Sequence, residues 1–318
     1  MRAVTIQQFG DPSGMELREV PDPDPAAGEV LIRVEAAGVG GVDAMIRRGT
    51  LGSHHPIGMV PGSEVAGTVI VVGPGTDPEL VGRRVWAFTG IDGGYAELAL
   101  AQVGDVLVLP DALSSVDAVT LGSAATVAHF ALAHAHTRAG DSVLVRGAAG
   151  SIGIAAVELA AQLGARVAVT TSSEDRGERL RALGAVDVLD RAGTGPEGSA
   201  VTFDVVIDIV GGADVPTFID RLAPNGRLVL VGAVAGFPPI DFGMALMQSF
   251  QASRSVGTFS LNSVPPVDRD RVRAAQFASA ARGELHPVVH EVMQLEDAAN
   301  AHRQMDTGAV FGRIVLVP

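Results

Sequence analysis

The sequence predicts an α/β protein in which a doubly wound parallel sheet is joined to a mostly β domain. Three observations predict it. From residue 142 on, short apolar segments alternate with helical ones; ahead of Pro110 every segment reads as a short strand between turns; and a glycine-rich turn joins the first apolar segment to its helix. Strands apolar on both faces and separated by helices belong to a parallel sheet covered on both sides.

Taken in order, a first domain runs from Met1 to about residue 115. EVLIRVEAAGVG, EVAGTVIVVGPG, RRVWAF, YAELALA and VLVLP read as strands between Gly, Pro and Asp clusters. The Ala-rich SSVDAVTLGSAATVAHFALAHAHT reads as a long helix opening a second domain, residues 116–261. Then come strand SVLVRG, helix IGIAAVELAAQLG, strand RVAVTT, helix EDRGERLRALG, strands VDVLD and FDVVIDIVG, helix VPTFIDRLA and strand RLVLVG. The closing stretch mixes helix RDRVRAAQFASAARG, strand HPVVHEVMQ, helix LEDAANAHRQMD and strand GRIVLVP. The turn 192–199, AGTGPEGS, is rich in Pro and Gly.

Composition narrows the chemistry. At 318 residues, 47% hydrophobic and 19% charged, the chain has material for two globular cores. All 23 basic residues are arginine, so lysine Schiff bases and lysine acids are excluded. A net charge of -13 argues against nucleic acid, which needs a basic face that releases counterions. No cysteine occurs, so neither disulfides nor thiolate metal sites can form. The N-terminal segment lacks the apolar run of a secretion signal, and RLVLVGAVAGFPPI is too short and broken to span a bilayer; a cytoplasmic protein without membrane contact is expected.

The most informative segment is VLVRGAAGSIGIAAVELAAQLGA, where Gly147, Gly150 and Gly153 stand between a buried strand and a helix. A dinucleotide pyrophosphate needs a tight turn, a backbone it can approach, and the amides and positive dipole end of a helix. Gly150, Ser151 and Ile152 are the candidate amides, and Gly153 allows close packing of helix on strand. The spacing is G-x-x-G-x-x-G, with Ala148 or Ala149 in place of a glycine of the usual fingerprint. A merely tight turn gives the same pattern, but the surrounding βαβ unit favours a Rossmann dinucleotide site.

Cofactor choice is read at the end of the second strand, where an acid about 20 positions on would hold the ribose of NAD. The strand ends instead in Thr170, Thr171, Ser172 and Ser173, with Arg176 and Arg191 following. Short donors and a guanidinium fork suit a 2′-phosphate, so NADP(H) is expected. Ser173 is equally a helix N-cap, Arg176 a solvated helix residue, and Glu174 close enough to be the acid.

In this context the chain resembles the medium-chain dehydrogenase/reductase superfamily, in its zinc-free quinone oxidoreductase (zeta-crystallin-like) branch. The carriers, spread over nearly the whole length, are GVGGVDAMIRRG, PGSEVAGTVIVVGPG, GGYAELA, GSAATVAHFAL, RGAAGSIG and LEDAANAHRQMDTGAVFGRIVLVP. The resemblance implies a GroES-like catalytic domain, residues 1–115 completed by about 262–318, a Rossmann domain, and an active site in the cleft between them. It implies cofactor contacts at Thr126, Ala149, Val210, Gly232, Ala233, Thr258 and Phe259, and a dimer formed by edge pairing of RSVGTFSL.

Three departures bear on mechanism. The zinc-dependent branch carries ligands where Gly40 and Ser63 stand, so no metal is expected. The quinone branch usually has asparagine at Gly40, which puts contacts from that position in doubt. Arg313 replaces a common lysine and keeps the potential for an anion contact. Gly40, Asp43 and His54 are cleft candidates, His54 more readily a solvated loop residue; the one tyrosine, Tyr95, lies in a motif that looks structural. With no general acid identified, activated acceptors that take a proton from water fit best. The expected activity is NADPH-dependent reduction of a small electrophile, a quinone or α,β-unsaturated carbonyl. The alternatives are a dedicated biosynthetic enone reductase and a non-catalytic NADPH-binding protein.

Overall fold

The computed structural model describes residues 1–51, 55–195 and 202–318. Two units partition it, Met1–Ser123 with Pro266–Pro318, and Ala124–Pro265. His54 and the part of the Pro/Gly turn from 196 to 199 lie outside the described residues.

In the first unit β1 (Arg2–Ile6) and β2 (Met15–Glu19) form a two-stranded ribbon. The long β3 (Glu29–Val39) is the spine of the larger sheet, and α1 (Gly41–Arg48) follows it. Then come β4 (Glu64–Val72), β5 (Arg84–Phe88), β6 (Leu98–Gln102) and β7 (Val106–Val108). Its core includes Val30, Ile32, Val65, Val69, Val85 and Tyr95.

The helix α2 (Ser115–His134) carries the division between the units. The expected boundary near residue 115 falls earlier because the first turns of α2 are bound into the first unit. Ser115 Oγ donates to Glu35 at 2.6 Å. At Gly122 an added Cβ would sit 2.1 Å from Trp86 Nε1, so only glycine admits that approach. The helix ends at His134, and His136 has left-handed φ of 51°, so the two histidines do not share a helix as the sequence reading supposed. Although α2 is apolar enough to cross a membrane, 61% of its most apolar window is buried in the protein, as in a core helix.

The second unit is built from β8 (Ser142–Arg146), α3 (Ser151–Gln162), β9 (Arg166–Thr170), α4 (Glu174–Ala182), β10 (Ala185–Leu189), β11 (Phe203–Asp208), α5 (Val215–Asp220), β12 (Leu222–Leu230), α6 (Met244–Gln248) and β13 (Ser255–Thr258). All six strands are parallel, in the order β10-β9-β8-β11-β12-β13. Helix α5 stops earlier than VPTFIDRLA suggests: Leu222 already pairs with Phe203, and Asn225, with φ of 62°, makes a bend that no helix accommodates.

The chain returns to the first unit with α7 (Pro266–Ala281), β14 (Val289–Gln294), α8 (Ala298–Asp306) and β15 (Arg313–Val317). Strand β15 pairs antiparallel with β3 and parallel with β14, extending the sheet to seven strands.

Candidate functional site

In a doubly wound sheet the strand order reverses once, and ligands bind outside the carboxyl ends of the two strands at that reversal. Here the strands are β8 and β11, and the glycine-rich turn is the segment that leaves β8. Gly147 is left-handed at φ 82°, which turns the chain out of the strand. At Gly153 a Cβ would lie 2.3 Å from the Gly147 carbonyl oxygen, so α3 can pack this tightly only with glycine. Gly150 caps α3; a Cβ there would meet nothing nearer than 3.8 Å, so the space beside the helix start is open. A pyrophosphate fits such a cradle. The Gly150 amide is itself given to Gly147 oxygen at 3.2 Å. The donors left by helix geometry are the amides of Ser151, Ile152 and Gly153, one residue later than the sequence reading placed them. Ala149 is half-buried in the same turn.

The turns that follow β11 and β12 meet beside this cradle. Val210 Cγ2 lies 3.2 Å from where a Gly147 Cβ would stand. Ala235 N donates to Val210 oxygen at 2.8 Å, and a Cβ on Gly232 would come within 2.6 Å of Ile209 oxygen. Gly232 and Ala233 thus lie against the β11 turn. At the end of β9, Ser172 is exposed and Ser173 is the N-cap of α4, accepting the Arg176 amide at 3.3 Å. Arg191 is exposed in the turn after β10.

Three further expected contacts lie in α2 and at the end of β13. Thr126 is fully buried in α2. Thr258 ends β13 exposed; Phe259 N donates to Leu230 oxygen, and its ring centroid lies 5.7 Å from that of His134.

In the first unit Asp43, a cleft candidate from the sequence, is fully buried. It accepts the Gly40 amide at 2.7 Å, Ser63 Oγ at 3.1 Å and Tyr95 Oη at 3.2 Å. Burial pushes its carboxyl above the ordinary range, against those hydrogen bonds and the Arg313 charge. Tyr95, held well above its usual value by burial and by Asp43, touches His302 Nε2 at 3.2 Å. Arg47 Nε lies 3.4 Å from His302 Nδ1. Because arginine only donates, the histidine proton belongs on Nε2, which donates to Tyr95, which in turn donates to Asp43.

Arg313 is also committed inward. It is 5% exposed, and its Nη2 donates to Glu64 Oε2 at 2.7 Å. Glu64 further accepts Trp86 Nε1 at 2.7 Å and the Ser123 amide at 2.9 Å. Among the described residues no group of three or more His, Cys, Asp or Glu side chains is placed to hold a metal ion. His55 Nε2 lies 3.1 Å from Leu51 oxygen.

Sequence reasoning missed Glu64, His302, Asp208 and Arg146. For the last two a signal existed: each is a charge at the carboxyl end of a strand, directly after an apolar run (VLV before Arg146, VVI before Asp208), and the charges are opposite.

With this geometry in view, comparisons with known proteins are specific. Residues 26–111 match the family described as Alcohol dehydrogenase GroES-like domain, and residues 183–316 the one described as Zinc-binding dehydrogenase. The chain is 31% identical to a quinone oxidoreductase of Rattus norvegicus over 330 aligned residues, covering 100% of this chain and 98% of that one. It is 30% identical, over 98% of its length but only 14% of the relative, to a subunit of the phenolphthiocerol/phthiocerol polyketide synthase of Mycobacterium tuberculosis. Among solved structures, that of mycobacterial Rv1454c complexed with NADPH superposes with a TM-score of 0.89 at 31% identity, covering 100% of both chains.

Proposed function

The chain belongs to the medium-chain dehydrogenase/reductase superfamily, in its quinone oxidoreductase branch, and from that premise we propose that it is a zinc-independent, NADPH-dependent reductase of quinones or related α,β-unsaturated carbonyls. The observation that carries this reading is the open glycine cradle at the β8/β11 reversal, where Gly147 and Gly153 admit a backbone approach that any side chain would block.

The amides of Ser151, Ile152 and Gly153 would hold the pyrophosphate, and Val210 with Gly232 would flank the ribose. The nicotinamide supplies the hydride when bound. Ser172 follows the end of β9, Arg176 lies in the first turn of α4 and Arg191 in the turn after the neighbouring β10, the region where a 2′-phosphate would be read. No zinc is needed in this scheme: the positions that carry ligands in the zinc branch are Gly40, which has no side chain, and Ser63, whose hydroxyl is given to Asp43. A quinone oxygen, already electron-poor at its ring, can take its proton from water once hydride has arrived.

The match to part of a polyketide synthase favours a second reading, reduction of a dedicated biosynthetic enone by the same site. A homodimer and a cytoplasmic location go with either. For the dimer the support is β13, the edge of its sheet, with Phe237, Ile240 and Phe250 exposed nearby in sequence.

The experiment is a spectrophotometric panel: chelator-treated protein, NADPH or NADH, and a series of quinones and enones. Oxidation of NADPH at full rate after chelation is expected, with quinones or enones as acceptors, from a particle of twice the 32.5 kDa chain mass by light scattering. Tight NADPH binding with no turnover on any acceptor would instead make this a non-catalytic binding protein. A rate restored only by zinc would overturn the metal-free scheme. Arg176→Ala is expected to weaken NADPH binding about tenfold or more, roughly 1.4 kcal/mol, while leaving NADH within about twofold. Equal losses for both would sink the phosphate assignment.

A further inference from the structure

The last residue of β8 and the last of β11 are charged, buried and paired. Arg146 is 3% exposed, Asp208 is fully buried, and Arg146 Nη1 lies 2.7 Å from Asp208 Oδ2. The pair therefore joins the two strands between which the order of the sheet reverses.

The way the carboxylate is shared carries the argument. While Oδ2 takes the guanidinium, Oδ1 accepts the amides of Val210 at 2.9 Å and Gly211 at 3.0 Å. Arg146 Nη1 also donates to Gly211 oxygen at 3.2 Å. One residue, Gly211, is thus held at its N–H by the acid and at its carbonyl by the base. Gly211 and Gly212 are both left-handed, at φ 64° and 76°, a conformation that regular structure does not supply. The guanidinium is itself fixed, 4.0 Å over the Phe218 ring and 3.7 Å from Asp214. What the grip positions is Val210, against Gly147.

We propose that Arg146 and Asp208 are positioning residues for the dinucleotide, setting the β11 turn at its distance from the glycine cradle so that Val210 forms one wall of the site. This rests on the NADP(H) reading above. Neither side chain reaches the ligand, because both are buried and their polar atoms are given to the turn.

A buried ion pair that merely cements a fold can be exchanged for apolar residues of similar volume with little loss of stability. The test uses that. Arg146→Met combined with Asp208→Leu is expected to stay folded, with a melting point lowered by the two amides left without their acceptor, yet bind NADPH at least tenfold more weakly in a fluorescence titration. KM should rise for NADPH and stay unchanged for the acceptor, and amide exchange at 209–212 should speed up in the cofactor-free protein. Asp208→Asn keeps an oxygen for the two amides and is expected to lose less. A folded double variant with NADPH affinity within twofold of wild type overturns the proposal. Should the double variant not fold, an unchanged NADPH affinity in Asp208→Asn together with an unchanged one in Arg146→Met overturns it equally. A wild type that binds neither NADPH nor NADH removes the cofactor reading, and this inference with it.

Discussion

Arg313→Met is expected to lower the stability of the first unit by about 3–5 kcal/mol, because it strips a buried carboxylate of the cation hydrogen-bonded to it while the carboxylate stays in place. Glu64 is 1% exposed at its side chain and cannot recover the lost charge from water. It would keep Trp86 Nε1 and the Ser123 amide, two neutral donors on one oxygen, while its other oxygen faced a thioether. The effect should appear as a lower denaturation midpoint at unchanged slope. Adding Glu64→Leu to this variant removes the orphaned charge and should restore part of the loss. Full recovery is not expected, since the Trp86 indole N–H and the Ser123 amide would then be buried without an acceptor, at about 1–3 kcal/mol each. A single Arg313→Met variant as stable as the wild type would mean the pair contributes nothing.

The same hub explains what could and could not be read from the sequence. The parallel sheet was legible because its central strands are apolar on both faces and helices separate most of them. The glycine turn was legible because Gly147 and Gly153 each answer a separate demand, a left-handed turn and a close packing of helix on strand, that other residues do not meet. The partner of Arg313 was not legible because a sequence presents only a charge; that it meets Glu64, 249 positions away, depends on β15 pairing with β3. Asp43 looked like a cleft residue because it follows the Gly40 segment, yet it is the third residue of α1, and its side chain turns back to cap the Gly40 amide. The burial of Thr126 was not legible for a related reason: a long, largely apolar helix with hydroxyls at Ser115, Thr120, Ser123 and Thr126 gives no sign of which of them it buries. The histidine chain was invisible, because Tyr95, Arg47 and His302 come from three distant segments and meet only in the packed unit.

That chain gives the second large effect, loss of stability in acid. His302 is fully buried, and burial, aided by the Arg47 charge and opposed by Asp306, depresses it to about 3 from an ordinary 6.5. The folded protein therefore keeps His302 neutral at pH values where the unfolded chain has already bound a proton. A folded value below the unfolded one means that the stability is fully present above about 6.5 and falls progressively toward about 3. The slope is about 1.4 kcal/mol per pH unit, so about 3 kcal/mol is lost by pH 4. Asp43, displaced upward by burial, works in the opposite sense near the acid end of that window. The histidine is therefore isolated by difference. Denaturant midpoints of wild type and His302→Gln, taken from pH 7 to pH 4, are expected to show the variant less stable at pH 7 but with a pH dependence shallower by one proton between pH 6 and pH 4. Glutamine can still donate toward Tyr95 Oη, so the Tyr95–Asp43 hydrogen bond survives and only the titration is removed. Parallel pH profiles in the two proteins would mean that His302 titrates in the folded state near its ordinary value, and that the Arg47-to-Asp43 chain does not fix its neutral form.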